Sequence, residues 1–466
     1  MKDSCALAGV VNYRNPIRPR DFLVIAMRPR APERPGPDDL FRARLSNQLD
    51  LKHPLVRLAG LIEWQRFESA FGPFYHETAG RPGKPTRLMA GLTYLKHTYN
   101  LSDEQVCERW VENPYWQFFC GFDYLQHRLP IDPSSLTRWR ERIGPAGIEL
   151  LLTETVEAAK ASGAVKPGSL ERVTVDTTVQ PKAIAYPLDS RLYHRGREIL
   201  VRLAARHGIK LRQSYQRLGK RALRLANRYA HARQMRRARR EIRRLKTFLG
   251  RVTRDVARKL AIRPGVAPHF AEALARIEQL LAQQKTDHAK LYALHAPEVE
   301  CLAKGKVHKR YEFGVKVSVA ATNREGLVLG MLALPGNPYD GHTLAPALAQ
   351  AERVTGTAVA RAYVDRGYRG HGLDPGRVFI SGQRGGVTPA IRRELRRRSA
   401  IEPVIGHMKT DGRLDRNFLA GARGDATNAL LCGAGYNLRL ILNFLERLLR
   451  ALLRWLTMNR FGLQLA

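Results

Sequence analysis

Acidic residues are in short supply in this chain: 42 Asp and Glu stand against 79 Lys and Arg, leaving a formal charge of +37 over 466 residues. A surplus of that size concerns partners rather than fold, and the usual partner is nucleic acid. Cysteine is also scarce. Cys5, Cys107, Cys120, Cys301 and Cys432 form no CxxC pair and no Cys/His ligand spacing. That excludes a zinc finger and a disulfide framework, and it suits a reducing compartment. Long apolar runs are missing too. The nearest, Leu438 to Leu456, is broken by Arg439, Glu446, Arg447, Arg450 and Arg454, short of the ~18 residues a bilayer span needs. The apolar patch from Phe22 to Met27 lacks a small-residue cleavage pattern, so no signal peptide is read and a cytoplasmic, nucleoid-associated location is expected.

What is present divides into five stretches. Residues 1–37, rich in Pro and Arg without a period, are expected to be disordered, with Met27 an alternative start. Residues 38–165 read as a helical DNA-binding domain. In it, PTRLMAGLTYLKHTYN has helical apolar spacing, Ser102 and Gln105 make a capping-box pattern, and Asn113-Pro114 ends the following helix. Next comes SLTRWRERIG, with Arg138 and Arg140 flanking Trp139, as a basic helix suited to a major groove. An equally good reading makes Trp110, Trp116 and Trp139 the core of a small bundle. Residues 166–190 and 306–425 form the expected α/β domain, interrupted at 191–305 by a basic helical insertion. There Met235, Ala238, Ile242, Leu245, Leu249, Val252 and Val256 mark a heptad seam, expected to pack on a helix carrying Phe270, Leu274, Ile277 and Leu281. Residues 426–466 read as an amphipathic helix with a Leu438, Leu442, Leu445, Leu449 stripe, packing on the α/β domain or on a sister subunit.

Three acids stand out against this basic background. Asp176 sits inside ERVTVDTTVQP, a β-branched strand pattern in which a charge is costly unless partnered. Asp365 ends the apolar run of VARAYVDRGYRG and is followed by a glycine-rich turn. Glu402 precedes Pro403, a proline suited to the first position of a helix with Glu402 at its cap. Arg398 lies four residues before Glu402 and Lys409 seven after it, spacings that share a helix face and suit contacts to phosphates. Carboxylates on adjacent strands and a neighbouring helix can hold two divalent ions about 4 Å apart. Hard oxygen ligands and a phosphate substrate select Mg²⁺, with Mn²⁺ as substitute.

The segments VDTTVQ, KRYEFGVKVSV, YVDRGYRG and RRELRRRSAIEPVIGHMK resemble the DDE transposases of bacterial insertion sequences, and more narrowly insertion-sequence family five. The resemblance runs from about Phe41 to Asn443. It implies an RNase H-like core, with Asp176, Asp365 and Glu402 as first, second and third catalytic acid. The arginine and lysine flanking the glutamate also match, whereas the tyrosine often found three residues before that arginine is here Leu395. The implied activity is metal-dependent cleavage and strand transfer at the inverted repeats of a mobile element. Its partners would be the double-stranded DNA of element ends and target, and at least a homodimer would act in the DNA complex. The alternative is a catalytically silent, transposase-derived DNA-binding protein.

Overall fold

The computed structural model describes residues 26–28, 43–76, 80–284, 286–303 and 310–462. Most of the stretch expected to be disordered, residues 1–25 and 29–37, lies outside these. Its described part is held in place. Strand β1 (Ala26–Met27) pairs in parallel with β2 (Arg81–Pro82), and the Arg28 amide donates to the His76 carbonyl at 2.8 Å.

Short helices α1 (Leu45–Gln48), α2 (Pro54–Leu61) and α3 (Trp64–Phe71) lead into α4 (Thr86–Thr98), α5 (Asp103–Glu112), α6 (Pro114–Phe119) and α7 (Ser134–Ser162). The expected capping box is made: the Gln105 amide donates to Ser102 Oγ at 3.1 Å, and the Ser102 amide donates to Gln105 Oε1 at 3.0 Å. Asn113 then caps α6, its Oδ1 accepting from the Trp116 amide. Helix α7 runs on past SLTRWRERIG, kinking at Gly144, whose φ of 62° favours glycine, before Pro145. Trp110, Trp116 and Trp139 are all buried.

Strand β3 (Arg172–Pro181) opens the sheet and is followed by four helices: α8 (Asp189–Arg206), α9 (Gln216–His231), α10 (Met235–Ile262) and α11 (Pro268–Ala282). These have their own core, in which Leu200, Leu245, Leu249, Val252, Phe270 and Ile277 meet. The seam of α10 packs mainly against α8 and α9, not chiefly against α11 as a two-helix hairpin would require. Its opposite face leaves Arg236, Arg237, Arg239, Arg240, Arg243 and Arg244 exposed.

The sheet resumes with β4 (Glu300–Ala303), unforeseen in the sequence, then β5 (Tyr311–Thr322) and β6 (Val328–Leu334), joined by a turn with Gly326 at φ 74°. Helix α12 (Asp340–Thr355), β7 (Arg361–Val364) and β8 (Val378–Ile380) follow, then α13 (Pro389–Arg396), a 3₁₀ turn (Arg397–Ala400), α14 (Ile401–Thr410) and α15 (Gly421–Gly462). The strand order is β6-β5-β3-β7-β8, with β4 on the same edge of β5 as β6. Pairing is antiparallel across β6, β5 and β3, and parallel across β3, β7 and β8. The protein is thus mixed α/β.

Leu58, Trp110, Leu151, Val173, Met331 and Leu438 belong to a single core spanning the N-terminal helices, the sheet and α15. Helix α15 packs on α7, α4 and β6. Its Gly435 lies so close to α4 that an added Cβ would meet the His97 carbonyl oxygen at 2.6 Å. One turn on, Arg439 Nη1 donates to the carbonyls of His97, Thr98 and Asp411 at 2.9–3.1 Å, satisfying helix-end acceptors that α4 cannot satisfy itself. Among the described residues no helix is long and apolar enough to cross a membrane.

Candidate functional site: acids at one end of the sheet

Asp176 and Asp365 reach the same end of the sheet through strand register. β3 and β7 run parallel with Thr174 opposite Tyr363; two residues on stand Asp176, within β3, and Asp365, the first residue past the end of β7. The two-residue period puts both on the face shared by that pair. Asp176 is half-buried; its Oδ1 accepts from the Thr177 amide at 2.7 Å. Asp365 caps the 3₁₀ turn Arg366–Tyr368, its Oδ1 accepting from the Gly367 amide at 2.9 Å.

Glu402 comes from α14, which packs against β3. The helix begins at Ile401, so Glu402 lies within its first turn rather than at the cap, and Pro403 is its third residue rather than its first. Proline is tolerated there because first-turn amides have no intrahelical acceptor. A 3₁₀ turn, Arg397–Ala400, lies just upstream and carries Arg398. Arg398 bridges two of the acids: Nη1 is 3.6 Å from Asp176 Oδ2 and Nη2 is 3.6 Å from Glu402 Oε1. The Arg398 side chain is 15% exposed and Glu402 66%, so the guanidinium sits inward while the glutamate reaches toward solvent. Lys409 is half-buried two turns along α14 from Glu402.

This arrangement is anchored from α13. Glu394 takes Arg361 at 2.9 Å, Arg172 at 3.4 Å and the Tyr363 hydroxyl. Asn323 Nδ2 donates to the Glu394 carbonyl at 3.1 Å and to Thr174 Oγ1 at 2.9 Å. The α13 segment so fixed exposes Arg392, Arg393 and Arg396, and Arg397 of the next turn is also exposed, so the acids stand beside a basic rim.

Two participants escaped the sequence reading. Asp340 opens α12; its Oδ1 accepts from Thr177 Oγ1 and from Lys316 Nζ, each at 3.1 Å. The available signal was an acid just ahead of a helical pattern, TLAPALAQAERV. Tyr368 is fully buried, with its hydroxyl beside the side chain of Ser318. Burial first, then the charges of Asp176, Asp340 and Asp365, push this phenol well above its usual pKa. Among the described residues no three His, Cys, Asp or Glu side chains converge closely enough to chelate an ion as they stand.

The two arginines expected to meet DNA on α7 part ways. Arg138 is exposed, with Nη2 on Ser135 Oγ at 3.1 Å. Arg140 turns inward: it is 4% exposed and makes two hydrogen bonds to Asp103, at 2.9 and 2.6 Å. Its role is to join α5 to α7, because a guanidinium committed to a buried carboxylate is not available to a phosphate.

A family described as a transposase domain (DUF772) matches residues 43–142, the helices from α1 into α7. The protein ORF8 in the nfe locus of Rhizobium meliloti, itself uncharacterised, is 62% identical over 208 residues, which is 45% of this chain and the whole of that protein. No solved structure matches the chain. The chain thus belongs to the family of the Rhizobium meliloti protein, and its residues 43–142 match a transposase domain.

Proposed function

We propose that this protein is a DDE transposase that binds the inverted repeats of an insertion sequence, cuts a strand at each end and joins the freed 3′-hydroxyl to target DNA. The observation that carries the reading is the register of Asp176 and Asp365 at one end of adjacent parallel strands, with Glu402 tied to Asp176 through Arg398. The order β6-β5-β3-β7-β8, three strands antiparallel and two parallel, supports an RNase H-like core. Oxygen-only donors fit a hard divalent cation, and the positive Arg398 between two carboxylates marks where such a charge is favoured. Mg²⁺ held by Asp176, Asp365 and Glu402 would stabilise developing charge at the scissile phosphate and favour the ionised nucleophile.

The remaining work belongs to the chain's own cations. Arg398, drawn off the acids, would turn to a flanking phosphate, and Lys409 would hold another on the same helix face. The exposed arginines of α10 would track the duplex backbone. Two ends must be handled together, so at least a dimer acts in the DNA complex. The defining test is cleavage of a labelled element-end duplex with Mg²⁺ by the wild type and by Asp365→Ala and Glu402→Ala. Cleavage by the wild type alone, with all three binding, supports the enzyme. Binding without cleavage by any of them, under any divalent metal, would leave a DNA-binding descendant instead.

The arginine face gives a separate prediction. Replacing Arg239 and Arg243 with alanine should lower the salt dependence of end binding by about two units of log–log slope, roughly one for each phosphate no longer neutralised. Filter binding across a salt series reads this directly. An unchanged slope would mean that the face is merely solvated.

A further inference from the structure

We propose that Phe418 is a stacking platform for an unpaired nucleobase of the bound DNA, with Arg413 and Arg416 as its cationic flanks; the inference rests on the DNA-processing reading above. Phe418 lies in the loop of residues 411–420, between α14 and α15. It is 60% exposed, more than any other Phe, Tyr or Trp whose side chain is described. A single exposed apolar side chain is ordinary on a protein surface. What sets this one apart is how its backbone is held and what surrounds the ring. Asn417, the residue before it, is fully buried. The Asn417 amide donates to the Pro181 carbonyl at 2.8 Å, and its carbonyl accepts from the Ala183 amide at 2.8 Å, alongside the end of β3. Its side chain donates to Asp425 Oδ1 at 2.6 Å and accepts from the Leu419 amide at 2.9 Å. Asp425 is in turn fixed by Lys182 at 2.8 Å. The backbone is thus pinned on both sides of a ring that stands in water.

The guanidinium carbons of Arg413 and Arg416 lie over that ring, 5.5 and 5.2 Å from its centroid. The two differ in freedom. Arg413, in the left-handed region at φ 65°, is tethered through Nη1 to the Leu101 carbonyl at 2.6 Å. Arg416 is exposed, and its recorded contact is with the ring alone. A π-face flanked by cations fits a flat base joined to a phosphate. A base paired within a duplex is covered by its neighbours, so the base that reaches Phe418 is one out of the stack. Arg416 would then turn from the ring to the adjoining phosphate and leave a face open to the base. The position suits a strand leaving the acids. Lys182, which pairs with Asn417, is six residues past Asp176, about 20 Å at the rise of a strand. That distance corresponds to roughly six nucleotides at ~3.4 Å each.

The test is photocrosslinking of the full chain to an oligothymidylate in which iodouracil replaces thymine, with the crosslinked peptide identified by mass spectrometry. Affinities for the plain oligothymidylate and for an abasic strand of equal length are read by anisotropy at about 0.15 M salt. The wild type is expected to crosslink through Phe418. Phe418→Ala should bind the thymidylate strand about tenfold more weakly and the abasic strand as the wild type does. Phe418→Leu, apolar but without a π-face, should recover little of that loss, and Phe418→Trp should recover all of it. Thermal melting verifies that each variant is folded. Crosslinks at other residues, with Phe418→Ala binding the thymidylate as tightly as the wild type, would overturn the proposal. So would full recovery by Phe418→Leu, or an equal loss on both strands. A Phe418→Ala protein that binds DNA normally but sediments as a smaller species would assign the ring to a contact between copies instead. All these outcomes leave the transposase reading in place. A wild type that binds neither single-stranded nor double-stranded DNA would remove both.

Discussion

Asp176→Asn is expected to lower cleavage of an element-end duplex by about 10³-fold or more, equivalent to about 4 kcal/mol of barrier, while end binding and melting temperature change little. Asparagine keeps the shape of the side chain and an oxygen to accept the Thr177 amide, so the strand is undisturbed. What it removes is the negative charge, the property a cation site needs. Arg398 would then pair with Glu402 alone, at a position where it already lies 3.6 Å away. A drop in cleavage without a drop in stability marks a chemical role; cleavage within tenfold of wild type would sink the three-acid reading. Glu402→Gln is the natural companion, because a side chain 66% exposed contributes little to the fold.

Arg140→Ala is expected to destabilise the protein by about 2–3 kcal/mol, since removing one partner of a buried pair strands the other. The cost falls below the ~3–5 kcal/mol of a fully buried pair because Asp103 is 16% exposed and keeps Lys96, 2.8 Å away. A fall of several degrees in apparent melting temperature reads the effect. The pH dependence carries the same signature. Burial alone would raise the Asp103 pKa, but hydrogen bonding to Arg140 and the charge of Lys96 outweigh it and hold the carboxyl below its usual range. A depressed folded pKa gives stability that is complete above the ordinary value of about 3.9 and lost as pH falls through the folded value. The gap between wild type and Arg140→Ala should therefore close below about pH 4. Arg138→Ala, two residues away and exposed, should leave melting unchanged; if the two variants lose stability equally, the assignment of Arg140 is wrong.

Much of the architecture was legible because local chemistry fixes it. Ser102 and Gln105 specify a helix start through two reciprocal hydrogen bonds. Asn323 to Gly326 specifies a turn through a left-handed glycine, and the β-branched run around Asp176 specifies a strand. Other features depend on partners distant in the chain. Strand β4 is four residues long, too short for its own period to declare it, and exists because β5 offers an edge. The seam of α10 was readable, but periodicity names a buried face and not what covers it; α8 and α9 do so here.

The sequence by itself determined much of the alternation of helices and strands, the basic excess and the presence of Asp176 as a charge inside a strand, because propensity, capping and the expense of buried charge act over a few residues. Only the tertiary structure decided which charges meet. Parallel register carries Asp176 and Asp365 past Thr174 and Tyr363 on neighbouring strands, the turn of α7 sends Arg140 inward and Arg138 outward, and the approach of α12 brings Asp340 to Lys316 of β5. Those outcomes follow from Coulomb interaction and desolvation between residues far apart in sequence, which depend on distances that no local pattern encodes.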